Sequence, residues 1–217
     1  MSVAATTRRV VAEYGLKWNP NPPVMVVALV TYAVAAGVYT ILSWLGVIAL
    51  PVGIVSVSAL FVAIGFGIPF GIWFAGWGLV IGYIGSFLGA GLLAGTPVLL
   101  TIPFALVDWI QFGIPLIAYR TLARRFGLHP LGKDVYTLKG FLFFLVFAVI
   151  LPNGLGSLYG VTVLKLGGLV PPEAYWPGVM AWWIGNMIVT IIIAPILLSV
   201  LTPVIERTGV ACHGIIS

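Results

Sequence analysis

Charge is the scarcest commodity in this sequence. Of 217 residues only 7% are Asp, Glu, Lys or Arg, against the roughly 25% of soluble domains, so a water-facing surface cannot be assembled from it. Cysteine occurs once, at Cys212, which excludes an intramolecular disulfide and a cysteine-based metal cluster. It also lies too far from the terminus for a prenylation box. The two histidines, His129 and His213, fall in polar segments without helical pairing and read as surface residues, so no metal is expected. There is no Walker A sequence to cradle nucleotide phosphates. No His-Glu-x-x-His, no Gly-x-Ser-x-Gly and no paired carboxylates occur either. The expectation is a protein that is not an enzyme and carries no cofactor. No selectivity-filter sequence points to an ion channel.

What is present is apolar. Hydrophobic residues make up 61% of the chain, and the mean hydropathy is +1.18. At about 20 residues per membrane span there is room for about six spans, and none for a soluble output module. The net charge of +5 is then an orientation signal on membrane loops, not a nucleic-acid surface. The fold class expected is an all-α integral membrane protein in the cell membrane, with six transmembrane helices and both termini inside.

Taken in order, residues 1–23 form a basic cytoplasmic lead with Arg8, Arg9 and Lys17, closing on Asn19-Pro-Asn-Pro-Pro23. A signal peptide is the alternative, but the apolar run to Leu45 is too long for one. Helices are predicted over about 24–45, 47–64, 68–93, 98–119, 140–164 and 177–201. Pro51 and Gly53 predict an irregular start to the second, and Pro103 and Pro115 predict kinks in the fourth. A basic loop, 120–139, carries Arg120, Arg124, Arg125, Lys133 and Lys139, and a tail covers 206–217. Placing both basic segments inside requires an even number of spans between them, and four satisfies that.

The third predicted helix contains a ladder of small residues, Gly71, Ala75, Gly78, Gly82, Gly85 and Gly89, at spacings of four and three. Such spacing puts them on one helical face, where backbones can approach closely in lipid. The fifth is interrupted by Leu151-Pro-Asn-Gly-Leu-Gly-Ser-Leu-Tyr-Gly160. Broken backbone at that depth is tolerated only in protein or beside a wet cavity, here one open to the outside.

Candidate contacts follow from polar residues in apolar surroundings. Asp108 costs about 2.5–3.5 kcal/mol at mid-membrane and must find a partner or a function; with Gln111 and Thr101 it forms one polar face. It is either an interhelical clamp or a ligand or proton contact. Asn153 and Asn186 fall at similar depth on separate helices, as pocket lining or as interhelical glue. Trp44, Tyr159, Tyr175, Trp176, Trp182 and Trp183 crowd the outer end as belt anchors. Of these, Trp182 or Trp183 is best placed to stack on a planar ligand. Lys165 and Glu173 sit at the outer mouth, as solvated charges or as an address for a charged ligand.

The helix carrying Ala33-Val-Ala-Ala-Gly37, the segment Gly67-Ile-Pro-Phe-Gly71 leading into glycine-rich chain, and Trp182-Trp-Ile-Gly-Asn186 running to Ala194-Pro195 resemble the substrate-binding S components of energy-coupling factor vitamin transporters. That resemblance spans roughly residues 25–205. It implies a six-helix receptor that takes a small nutrient from the outside and is energised by a separate transmembrane coupling subunit with ATPases. It also implies that Ala33 and Gly37 form the small surface meeting that subunit, and that ligand contacts come from Trp44–Gly53, Gly91–Thr96, Asn153–Trp176 and Asn186. Two further readings stay open: a membrane sensor or scaffold module partnering a signalling protein, and a stand-alone proton-coupled carrier with Asp108 as relay.

Overall fold

The structure, a computed structural model, describes residues 14–18 and 26–216. Its regular structure is helical, and the described residues contain no strand beyond an isolated bridge between Pro51 and Ser58. We number the helices α1 Val26–Ala49, α2 Ala63–Phe74, α3 Gly76–Gly85, α4 Val98–Phe104, α5 Val107–Thr121, α6 Leu138–Phe144, α7 Leu151–Leu166 and α8 Tyr175–Thr208. Two wider π-helical stretches extend them: Ser86–Leu92 continues α3, and Leu145–Ile150 joins α6 to α7. Among the described residues, four stretches are long and apolar enough to cross a membrane: Val26–Ala49, Val98–Thr121, Leu138–Leu166 and Pro172–Thr208. This is a membrane-embedded helical protein.

The helix predicted over 47–64 does not form. α1 runs on to Ala49, and residues 50–62 are irregular, with Gly53 and Ser56 at positive φ, before α2 begins at Ala63. Pro51 and Gly53 supply the physical reason: Pro51 removes a backbone donor, and Gly53 takes a positive φ of 79° that no helix contains. The predicted single glycine helix over 68–93 is also not one helix. At Ala75 (φ 50°, ψ −119°) the chain reverses, and α2 and α3 pack against each other as a hairpin. A methyl group on Gly78 would lie 2.4 Å from the Phe70 carbonyl oxygen and 2.8 Å from the Gly71 Cα. The small residues are therefore required, but to let two short helices touch near a turn rather than to line one face.

The interruption expected at 151–160 is likewise absent. Pro152 sits in the first turn of α7, directly after the π-helical turn, whose wider winding departs from the i→i−4 pattern that a proline interrupts. Gly154, Gly156 and Gly160 face the Trp183 ring, Gln111 and the Trp182 ring, where a Cβ would approach within 2.5–3.0 Å. The irregularity lies one segment earlier, in the π-helical turn Leu145–Ile150. Pro103 does separate α4 from α5, and its carbonyl oxygen accepts from the Tyr159 hydroxyl at 2.8 Å as well as from the Leu106 N–H. Pro115 is accommodated inside α5.

One end of the bundle gathers residues 14–18, the basic loop 120–139 and the tail, while Arg8, Arg9 and the Asn19-Pro-Asn-Pro-Pro23 cluster of the predicted lead lie outside the described residues. Thr137 caps α6, its Oγ1 accepting from the Gly140 N–H. Arg120, read as a loop charge, is instead only 2% exposed. Its Nη2 donates to the Ile72 carbonyl oxygen at 2.9 Å, at the C-terminal end of α2, where the carbonyls carry negative partial charge. The tail closes over the same turn: the Cys212 N–H donates to the Trp73 carbonyl and the Gly76 N–H to that of Ile215. Tyr14 stacks on His213 and lies under the Arg120 guanidinium, and Arg124 donates to its carbonyl oxygen. His129, expected at the surface, is buried between Leu131 and Glu206.

Candidate ligand site

Five helices deliver polar side chains to the middle of the bundle. α1 brings Tyr39 and Ser43, the π-helical extension of α3 brings Ser86, and α5 brings Asp108 and Gln111. α7 brings Asn153, and α8 brings Trp182, Asn186 and Thr190. All nine are buried. Glycines allow this convergence, because a Cβ on Gly82 would meet Phe112 and Asp108, one on Gly85 would meet Tyr39, and one on Gly156 would meet Gln111.

Two hydrogen-bonded clusters result. In the first, the Ser86 hydroxyl donates to Asp108 Oδ2 at 2.5 Å, with the Tyr39 and Ser43 hydroxyls beside this pair. In the second, Gln111 Nε2 donates to Asn153 Oδ1 at 3.0 Å, and Asn153 Nδ2 reaches the Val149 carbonyl (2.8 Å) and Thr190 Oγ1 (3.3 Å). That carbonyl lies in the π-helical turn, a feature that frequently accompanies functional sites.

Between the clusters is a cavity of about 10 Å³, room for about one water. Ser86, Asp108, Gln111, Phe104 and Trp182 line it, and Ser56, Ser58 and Phe61 of the 50–62 loop cover it. Ser56 is latched to Thr96 of the loop that follows α3, hydroxyl to hydroxyl at 2.5 Å, and the Ser58 hydroxyl donates to the Gly46 carbonyl. Asp108 Oδ1, Gln111 Oε1 and Trp182 Nε1 have no hydrogen-bond partner. A buried polar atom without a partner costs roughly 1–3 kcal/mol, more when charged. No lining residue is basic, so nothing on the cavity wall neutralises Asp108.

The larger hollow is elsewhere. A groove of about 360 Å³ runs between α7 and α8, lined by Ile150, Leu155, Leu158, Trp176, Met180 and Trp183 among others. Its walls are apolar and offer nothing that could orient a polar ligand.

The structure thus brings Asp108, Gln111, Asn153 and Trp182 into one locus. Asn186 is buried one turn from Thr190 with both amide atoms unpartnered, but it does not line the cavity. Trp44 is 37% exposed on the outside of α1, Tyr159 is spent on Pro103, and Lys165 lies over the Tyr175 ring 4.7 Å away. Those three stand apart from the cavity. Thr101 bonds within its own segment, to the Thr96 and Pro97 carbonyls. Tyr39, Ser43 and Ser86 were missed by sequence reasoning. The i, i+4 pair Tyr39 and Ser43 in an otherwise apolar helix was the available signal.

Among the small residues, Gly71, Gly78, Gly82, Gly85 and Gly89 are all consumed inside the bundle, against Phe112, Phe70, Tyr39 and Thr40. Ala33 and Gly37 are different. Both are exposed on α1, and nothing lies within 4 Å of a Cβ placed on Gly37. Comparison with protein-family models, curated proteins and solved structures gives no match.

Proposed function

We propose that this chain is a membrane receptor for a small nutrient-like molecule, which it takes up from the outer side and passes inward with the help of separate energising subunits. The observation that carries this reading is the covered central cavity, with two unpartnered acceptors and one unpartnered donor on its wall. Polar atoms left unsatisfied at that depth are expensive, and a ligand that satisfies them recovers the cost on binding. The 50–62 and 93–97 loops, joined by the Ser56–Thr96 bond, form the cover.

On this reading the chain crosses the membrane six times. The 50–62 segment with α2 makes the second crossing, α3 with its π-helical extension the third, and the basic end faces the cytoplasm. The resemblance to the S components of vitamin transporters supports the need for a coupling subunit. The open Ala33–Gly37 face on α1 is a small surface of the kind that lets a partner helix approach closely. The test is to purify the protein gently, identify retained small molecules by native mass spectrometry and measure thermal stabilisation by a vitamin panel. A retained compound that also stabilises the protein supports the reading. The absence of both retention and stabilisation overturns it.

A second reading is favoured by the lack of a cation on the cavity wall: a stand-alone carrier in which Asp108 exchanges protons. Uptake into liposomes by this chain alone, abolished in Asp108→Asn, would select it.

A further inference from the structure

From the chemistry of the cavity wall we infer that the ligand's buried end is a small organic cation bearing N–H donors, an ammonium or amidinium group. This rests on the receptor reading and names the ligand class for that site. The inference begins with a buried carboxyl group that has no cationic partner. Asp108 is 1% exposed and lines the cavity, Oδ2 is taken by the Ser86 hydroxyl, and Oδ1 has only neutral hydroxyls such as that of Tyr39 nearby. The remaining neighbours are the Tyr39, Ser43, Ser56 and Ser58 hydroxyls, the Gln111 amide and aromatic or aliphatic side chains. Buried carboxylates elsewhere are balanced by Lys, Arg, His or a metal. Here none of these lines the space, and no group of three or more His, Cys, Asp or Glu that could hold a metal occurs among the described residues.

The second free acceptor has a fixed orientation. Gln111 Nε2 is committed to Asn153 Oδ1, which leaves Oε1 unpaired. That amide cannot flip and present its donors to the cavity without losing the Asn153 bond, because Asn153 Nδ2 is itself held by the Val149 carbonyl and Thr190. The site therefore offers two free acceptors, a carboxylate oxygen and an amide oxygen, against one free donor, the Trp182 indole N–H, so the ligand must bring more hydrogens than it takes. An ammonium or amidinium supplies at least two N–H donors and the compensating charge. Phe104 and Trp182, with ring centroids 5.9 Å apart, add aromatic wall, which attracts a desolvated cation. Room for about one water matches an ammonium nitrogen; an amidinium head or the remainder of a ligand requires Ser56, Ser58 and Phe61 of the 50–62 loop to move aside. Carboxylate ligands are disfavoured, since they would place a second negative charge against Asp108.

An isosteric charge series tests this: acetamidinium, acetamide and acetate share one four-atom skeleton and differ in charge. Each is added to the purified protein at matched ionic strength, and the melting temperature is read for wild type, Asp108→Asn and Gln111→Met. The expected result is a rise of about 3 °C with acetamidinium alone at saturating concentration. The rise should vanish in Asp108→Asn and be reduced in Gln111→Met. The ligand-free melting temperatures of the variants show that both fold; Gln111→Met keeps the test alive if Asp108→Asn does not. A comparable rise with acetamide or acetate, or an acetamidinium effect that survives in both variants, overturns the cation. If all three probes are silent while native mass spectrometry finds a retained compound, the cation inference falls and the receptor reading stands. If the probes are silent and nothing is retained, both fall.

Discussion

The guanidinium of Arg120 donates to the carbonyl oxygen of Ile72 at 2.9 Å, tying α5 to the last turn of α2 where the chain reverses. The reversal passes through Ala75 at φ 50°, a conformation that costs a non-glycine residue of order 1–3 kcal/mol unless its surroundings impose it. Arg120 is one such imposition, and the Cys212 N–H on the Trp73 carbonyl is another. Arg120→Ala leaves the Ile72 carbonyl without its side-chain donor and opens a void, so a loss of about 1–3 kcal/mol is expected. Melting temperature in detergent checks it; an unchanged value would remove Arg120 from the support of the turn.

Two glycines of similar sequence character should behave oppositely. A Cβ on Gly78 would meet backbone, the Phe70 carbonyl oxygen at 2.4 Å, whereas nothing lies within 4 Å of one on Gly37. Gly78→Ala should cost about 1–3 kcal/mol by overpacking. Gly37→Ala should stay within about 0.5 kcal/mol for the isolated chain. Parallel thermal melts decide this, and equal losses at the two sites would contradict the hairpin.

Gln111 and Asn153 should be coupled. Their hydrogen bond joins α5 to α7 at 3.0 Å, and interhelical side-chain bonds in membranes average about 0.6 kcal/mol. A double-mutant cycle with Gln111→Leu and Asn153→Leu is expected to give a coupling energy of that order. Strict additivity would mean that the bond contributes nothing.

The loop cover is open to trapping. The Ser56 and Thr96 hydroxyls are 2.5 Å apart, so sulfurs placed at these two positions would lie side by side and invite oxidation to a disulfide. The only native cysteine, Cys212, is buried at the opposite end. Oxidised Ser56→Cys/Thr96→Cys protein should exclude ligand, and reduction should restore binding. Binding unaffected by oxidation would show that ligand does not enter past this loop.

At the basic end, acid should weaken the fold through His129. Burial, followed by the charges of Lys133 and Arg120, pushes its pKa down from 6.5 to about 4. Its Nδ1 accepts from the Leu131 N–H at 3.2 Å, so the proton of the neutral ring sits on Nε2, facing Glu206 Oε1 at 3.3 Å. Protonation adds the hydrogen at Nδ1 and breaks the Leu131 bond, a loss that the nearby Glu206 does not offset. With the folded pKa below the unfolded one, the unfolded chain binds the proton first. The stability contribution is complete above about pH 6.5 and is lost as pH falls towards 4. His129→Gln should flatten the pH dependence of the melting temperature in that window, and an unchanged slope would assign it to other groups.

Much of the architecture follows from the sequence alone. Sparse charge and long apolar runs dictate helices, because every backbone polar group in lipid must be satisfied within the chain. A lone Asp108 in such a run already implied a demand for a partner. Gln111, Asn153 and Trp182 were legible as candidates for the same reason, since polar atoms in apolar runs are conspicuous. What hydropathy cannot register is direction. Phe74-Ala75-Gly76 is as apolar as the helices it separates, so a chain reversal there leaves no mark in composition. The reversal needs Arg120 and the Cys212 segment, which are distant in sequence. Likewise Pro152 and three glycines read as a break in α7, although each glycine is the empty half of a contact with Trp183, Gln111 or Trp182. The residue types were fixed by local chemistry and the medium. Which of them meet, and which polar atoms are left without a partner, depends on close packing between helices far apart in the chain, and only the tertiary structure decides that.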